Sequence, residues 1–204
     1  MSNTSTIAHR LEMPLGLMYL SSYLKKEEPG HQVALLDYSL YMESILNFDN
    51  ISQYIEQIAD QNTQFEPDII AFSVSFSTSH RFFTEALTHF KTKWPNATTI
   101  VGGNHASNTM KTLLEMPELD YVARGEGEIA FTEFVRQTAQ KQSIQVKGIY
   151  TKEYIDSGQN TPLCDFVENL DNMPYPDWDL IAMKEYVSSS GRKRSVGEAV
   201  GKNC

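Results

Sequence analysis

The sequence predicts an α/β fold of the doubly wound kind, a parallel sheet with helices on both faces. Two observations carry this. Strand-like and helix-like apolar patterns alternate along the chain, and the strand segments are short continuous apolar runs suited to burial on both sides. A third is size: 204 residues, 41% hydrophobic and 21% charged, build one core and fall short of two full-sized enzyme domains.

Residues 15–26 place Leu15, Met18 and Tyr19, with Leu17, Leu20 and Leu24, on two faces at helical spacing, so a well-buried helix is expected, ended by Pro29-Gly30. Residues 32–36 (QVALL) read as a short strand, and Ile51, Tyr54, Ile55 and Ile58 as the stripe of the next helix. Residues 69–74 (IIAFSV) are a strand run, followed by a helix with Phe83, Ala86, Leu87 and Phe90 in line, closed by Trp94-Pro95-Asn96. Residues 98–101 give a strand, 107–115 a short helix and 121–123 a strand, while Phe131, Phe134 and Val135 mark the last helix. Strands 32–36, 69–74, 98–101 and 121–123 are expected to be parallel, with 147–151 a candidate edge strand.

A doubly wound domain normally opens with a strand, but MSNTSTIAHRLEMP is too thin in apolar residues for one. Residues 1–14 are therefore expected to supply no central strand, which leaves the first strand missing. The α/β domain is read as residues 1–156, and the proline-punctuated remainder, 157–204 with Pro162, Pro174 and Pro176, as a linker without a core of its own.

The net charge of −9, from 26 acidic and 17 basic residues, gives no footprint for a polyanion. Arg192-Lys193-Arg194 reads as solvated linker, and nucleic acid is not expected as a partner. The first fourteen residues hold no signal-peptide run and no stretch approaches a spanning helix, so a cytoplasmic protein without membrane contact is expected. Cys164 and Cys204, the only cysteines, suggest neither a disulfide framework nor a paired metal spacing.

In parallel sheets ligands bind beyond the carboxyl ends of the strands. The loops there are SVSFSTSH (73–80), GGNHAS (102–107) and RGEGE (124–128). Ser73, Ser75, Ser77 and Thr78 offer hydroxyls, and Gly102-Gly103 removes side chains where the backbone turns. Singly, each loop also reads as an ordinary connection, with Ser79 and Ser107 as helix caps and Glu126 and Glu128 answering a helix dipole. Together on one edge they make a platform. The acidic third loop and the absence of a phosphate loop or GxGxxG disfavour a nucleotide triphosphate, and a large neutral ligand with many amide groups suits the surface. No catalytic constellation of side chains stands out. His31, His80 and His89 read as polar surface, His105 in GGNHAS as a hydrogen-bonding candidate, and His9 as part of the terminus or a neighbour of the same edge.

PLGLMYLSSYLKKEEPGHQVALLD, PDIIAFSVSFS, GGNHAS, DYVARGEGE and NLDNMPYPDWDLI, in this order and spacing, resemble the cobalamin-binding domain of cobalamin-dependent radical S-adenosylmethionine (radical SAM) enzymes of the methyltransferase and cyclase type. The ordered set carries the resemblance over residues 13–186. It implies a flavodoxin-like sheet of order 2-1-3-4-5 with the corrin flat on the strand ends. Ser73, Ser75 and Ser77 would line the nucleotide tail or corrin edge, Gly102 and Gly103 would admit the tail, and His105, Ala106, Gly125, Glu126 and Gly127 would border the ring. The cobalt-ligating pattern DxHxxG is absent around His9, which implies a cobalt without a protein histidine beneath it. The cluster motif CxxxCxxC is also absent, so S-adenosylmethionine and the [4Fe–4S] cluster would belong to a missing radical SAM domain of the same chain, with Cys204 standing where its first cysteine would fall. The resemblance thus implies a cofactor-holding piece of an enzyme, truncated at both ends. A non-enzymatic cobalamin carrier or sensor and a flavodoxin-like nucleotide-binding domain are the alternatives.

Overall fold

A computed structural model describes residues 11–63 and 65–189. Its sheet has four strands in the order β1 (Ile69–Ser73), β2 (Thr98–Gly102), β3 (Tyr121–Ala123) and β4 (Ile149–Tyr150). The first three are parallel, with Ile69 opposite Thr98, Ser73 opposite Gly102 and Ile100 opposite Tyr121; β4 closes the sheet antiparallel to β3. The central strand β2 is rich in β-branched residues, and Thr99, Ile100 and Val101 are buried, as a strand covered on both faces requires.

Alternation along the strands divides the core. Ile100 and Ile149 pack with Leu24 of α1 (Leu15–Glu27) and Ala130, Phe134 and Val135 of α5 (Glu128–Ala139). On the other face Ile70 packs with Tyr54, Ile55 and Ile58 of α2 (Ile51–Asn62) and with Ala86 and Phe90 of α3 (His80–Lys93). Beside them Val101 and Val122 meet Phe83, Leu87 and, from α4 (Asn104–Leu113), Ala106 and Leu113.

The structure corrects the expectations for residues 32–36, for the burial of α1 and for the segment after residue 156. Residues 32–36 form neither strand nor helix and join no ladder. Their apolar side chains are still used, Val33 against the α1–α5 cluster and Leu36 against the α2–α3 cluster. The apolar pattern drives burial, but a strand also needs a ladder partner, and among the described residues none lies on that side of β1, where Ala71 and Ser73 are exposed. Residues 11–14 contain no strand, and 1–10 lie outside the described residues. Helix α1 is buried only along Met18, Ser21 and Leu24, with Leu15 exposed. Residues Tyr38–Asn47, unassigned by pattern, form a 3-10 segment that starts at Asp37, whose carboxylate accepts from the Ser39 N–H.

The expected coreless linker is instead a strap laid back over the domain after α6 (Lys152–Asp156), ending in α7 (Met183–Ser189). The buried Cys164 donates its thiol to the Glu126 carbonyl at 2.6 Å. Asp177 accepts from Ser21 Oγ at 2.5 Å and Lys25 Nζ at 2.6 Å, and its backbone N–H donates to the Met18 carbonyl at 3.1 Å. Tyr186 donates to Asp37 Oδ2 at 2.8 Å. Burial would raise the Asp177 carboxyl, but the bonds from Lys25 and Ser21 together hold it below its ordinary value. A depressed folded value contributes stability above the unfolded carboxyl pKa of about 3.9 and loses it as pH falls through the folded value. Acidification below about pH 4 is therefore expected to loosen the strap. Proteolysis between Cys164 and Tyr186 should quicken there, and Asp177→Asn should be cleaved as fast at neutral pH.

Candidate functional site

Because β1, β2 and β3 are parallel, their carboxyl ends lie on one edge, and the loops that follow meet there. The β1–β2 ladder continues past the strands: the Val74 N–H donates to the Gly102 carbonyl at 2.9 Å, and the His105 N–H donates to the Val74 carbonyl at 3.1 Å. This clamps the serine loop onto the start of α4. Gly103, at φ +99°, makes the approach possible, since a Cβ there would stand 2.6 Å from the Val74 carbonyl oxygen. Gly102 differs: its Cβ would meet only the Ala123 Cβ, at an ordinary 3.6 Å.

Ser73, Ser75, Ser77 and Thr78 are exposed on this edge. Beside them stands Phe76, 72% exposed, an aromatic in a loop of small polar residues that loop chemistry alone did not single out. His105 lies in the first turn of α4 and is only 8% exposed. Its Nδ1 is hydrogen-bonded to Ser77 Oγ at 3.1 Å, and its Nε2 to Nδ1 of His80 at 3.1 Å, with the two rings edge-to-face. His80, expected as polar surface, is thus joined to the site. Its place directly after the serine loop, at the start of α3, was the available signal.

The remaining candidates have structural duties. Ala106 is fully buried among Val74, Val101 and their neighbours. A Cβ on Gly125 would approach Cys164 Sγ to 2.9 Å, and one on Gly127 would approach Leu20 to 2.7 Å, so these glycines admit the strap and α1. Glu126 is exposed, while its carbonyl accepts the Cys164 thiol, which burial pushes up in pKa. Ser107, expected as a cap, lies inside α4 and accepts from the Gly125 N–H at 3.2 Å, tying the third loop to the second. Ser79 makes no capping side-chain bond. Cys204, His9 and Arg192-Lys193-Arg194 lie outside the described residues.

The serine and glycine loops carry no carboxylate. Their donors and acceptors are hydroxyls, backbone N–H groups and imidazoles, which suit a ligand bordered by neutral amides. The edge is a platform rather than a pit. A concavity of about 560 Å³ lies at the opposite, amino-terminal ends of the strands, lined in part by Lys91, Thr98, Asp120 and Tyr121. Of the two carboxylates in its lining, Asp120 and Glu153, the first is already committed: Asp120 Oδ2 accepts from Lys91 Nζ and Thr99 Oγ1 at 3.0 Å and from the Thr99 N–H at 2.8 Å. Among the described residues no His, Cys, Asp and Glu cluster suited to a metal is found, and no helix is long and apolar enough to cross a membrane.

Residues 8–135 match the family model of the B12 binding domain. The chain is 32% identical over 176 residues to an uncharacterized methyltransferase of Pyrococcus horikoshii, covering 85% of this chain and 35% of that protein. It is 31% identical over 165 residues to hopanoid C-3 methylase of Methylococcus capsulatus, covering 79% and 28% respectively. It is 28% identical over 148 residues to anaerobic magnesium-protoporphyrin IX monomethyl ester cyclase of Cereibacter sphaeroides, covering 68% and 23%. The chain spans about a third or less of the length of these curated relatives.

Proposed function

Since the chain belongs to the B12 binding domain family, we propose that the strand-end edge of β1–β3 is the surface on which it holds cobalamin, as the cofactor-bearing part of a longer radical SAM enzyme. The observation that carries the reading is the donor set. Exposed Ser73, Ser75 and Ser77 stand beside Gly102, where a Cβ would meet nothing nearer than the Ala123 Cβ at 3.6 Å. Cobalamin has a periphery of neutral carboxamides and one phosphate, which such hydroxyls recognise, and neither the serine loop nor the glycine loop sets a carboxylate against them. Phe76 adds an apolar surface for a ligand to cover.

When bound, the cofactor supplies a cobalt centre able to carry a methyl group or assist radical chemistry. The chain's own residues orient it: the serine hydroxyls meet its polar rim, His105 borders the ring from behind Ser77, to which it is bonded, the glycines let the backbone approach, and Gly125, Glu126 and Gly127 hold the third loop against the strap and α1. Methyl transfer or ring-forming radical chemistry would belong to the remaining domain, together with S-adenosylmethionine and a [4Fe–4S] cluster for which Cys204 is the first candidate thiolate. The names of the relatives, two of them methyl-transferring and one a cyclase, support that range. A cytoplasmic location goes with this reading.

The test is an absorption titration of the chain with cobalamin. A saturable spectral change at one equivalent is expected. Cobalamin that elutes free from the protein, together with saturable binding of a flavin or nucleotide, would establish the rival reading of a flavodoxin-like nucleotide-binding domain.

A further inference from the structure

We propose that His80 is a positioning residue that decides, through His105, whether Ser77 offers the platform a hydrogen-bond donor or an acceptor; the ligand half of this proposal rests on the reading of the platform above. The juxtaposition is a three-membered chain: Ser77 Oγ to His105 Nδ1 at 3.1 Å, then His105 Nε2 to His80 Nδ1 at 3.1 Å. Two facing nitrogens at that separation share one hydrogen, so the chain has a direction. In one direction Ser77 donates to His105 Nδ1, His105 Nε2–H donates to His80 Nδ1, and Ser77 turns only lone pairs outward. In the other, His80 Nδ1–H donates to His105 Nε2 and His105 Nδ1–H donates to Ser77, whose own O–H is then free to point at a ligand.

Uptake of one proton from solvent selects the second direction. The balance is simple: Ser77 takes the solvent proton and passes its own to His105 Nδ1, while the hydrogen on His105 Nε2 moves to His80 Nδ1. No bond other than N–H and O–H is altered, His105 stays neutral and the charge rests on His80. Burial dictates that placement. His105 is 8% exposed, whereas His80 is partly exposed, and charge is disfavoured in the less hydrated ring.

The surroundings leave the pair to itself. Residues 73–79 contain no titratable group, and α4 faces His80 with His105 alone in its first turn. On α3, Arg81 is exposed and Glu85 accepts from Ser52. On α2, packed against α3, Glu56 is exposed and Asp60 pairs with Lys93 near the far end of α3. Tyr38 and Tyr54, which pack on Phe82 of α3, are kept un-ionised by burial, and Glu126 of the third loop is exposed. Among the described residues neither imidazole forms an ion pair.

The chemistry selected is a hydrogen-bond acceptor oxygen, a carboxamide carbonyl or a phosphate, favoured at Ser77 when His80 is charged. Two measurements test it separately. In the ligand-free chain, with 15N in the histidine rings, His105 is expected to pass from the Nε2–H to the Nδ1–H neutral form as the pH is lowered and His80 gains the second ring hydrogen. In His80→Ala it should instead become an imidazolium. A native His105 that holds both hydrogens at acid pH, or keeps Nε2–H throughout, overturns the relay. Cyanocobalamin, whose cobalt-bound cyanide does not titrate in this range, should bind the native chain about two- to tenfold more tightly on the acid side, the effect of one hydrogen bond. Ser77→Ala should show no such dependence. Equal native affinity on both sides overturns the coupling to ligand, whereas an intact relay with no cobalamin binding at any pH refutes the platform reading alone.

Discussion

Replacing Gly103 by alanine is expected to destabilise the domain by at least about 3 kcal/mol, a large share of the roughly 5–15 kcal/mol that folds a domain of this kind. Two effects add. Gly103 sits at φ +99° and ψ 174°, a region that L side chains scarcely enter, at a cost of about 1–3 kcal/mol. Its Cβ would also stand 2.6 Å from the Val74 carbonyl oxygen and 2.9 Å from the Val74 carbonyl carbon, and these are backbone atoms with no rotamer to yield. Relief requires breaking the Val74–Gly102 and His105–Val74 bonds that clamp the serine loop to α4. Gly102→Ala is the control, because its Cβ meets only Ala123 at 3.6 Å and should change stability by less than about 1 kcal/mol. Denaturant midpoints of the two variants decide the matter: a Gly103→Ala protein as stable as the parent would show that the approach to Val74 is not tight.

The second large effect is on the ligand. Gly102→Leu is expected to leave the domain folded and to weaken cobalamin binding by about 100-fold or more, roughly 2.7 kcal/mol. Gly102 ends β2 opposite Ser73, at the junction of the serine loop and the α4 turn. Its lack of a side chain keeps open the space assigned to the cofactor's tail. Gly103 cannot report on this, since its substitution is expected to strain the clamp to Val74 on which the platform depends. A folded Gly102→Leu protein, judged by far-ultraviolet circular dichroism, that binds cobalamin like the parent would move the ligand elsewhere on the edge.

Much of this architecture was legible as pattern. The runs IIAFSV, TTIV and YVA became β1, β2 and β3 because continuous β-branched and apolar residues are at home only where helices cover both faces. The stripes Tyr54-Ile55-Ile58 and Phe83-Ala86-Leu87-Phe90 became the buried faces of α2 and α3 by the same reasoning. The segment QVALL fails as a strand although its composition is right. Composition can drive Val33 and Leu36 into the two clusters, but hydrogen-bonded pairing depends on a neighbour that the segment does not itself contain.

The strap was hidden for a related reason. Its anchors are single residues, Cys164, Asp177 and Tyr186, spread through a proline-rich stretch without periodicity, and each finds its partner far away in sequence. A linker and a strap have the same composition and differ only in what lies beneath them.

By itself the sequence determined the fold class, the edge on which the three loops gather and the family, because strand runs, helix stripes and ordered motifs are local or near-local signals. Tertiary structure alone decided the duties of the loop residues. It showed that Gly103, Gly125 and Gly127 admit Val74, Cys164 and Leu20, that Ala106 belongs to the core, and that His80 and His105 form one chain with Ser77. The physical reason is range. A loop residue's type limits which backbone angles and bonds it can adopt, whereas the use it makes of them is set by neighbours distant in sequence, Val74 at Gly103, Cys164 at Gly125 or Leu20 at Gly127, that arrive only once the chain has folded.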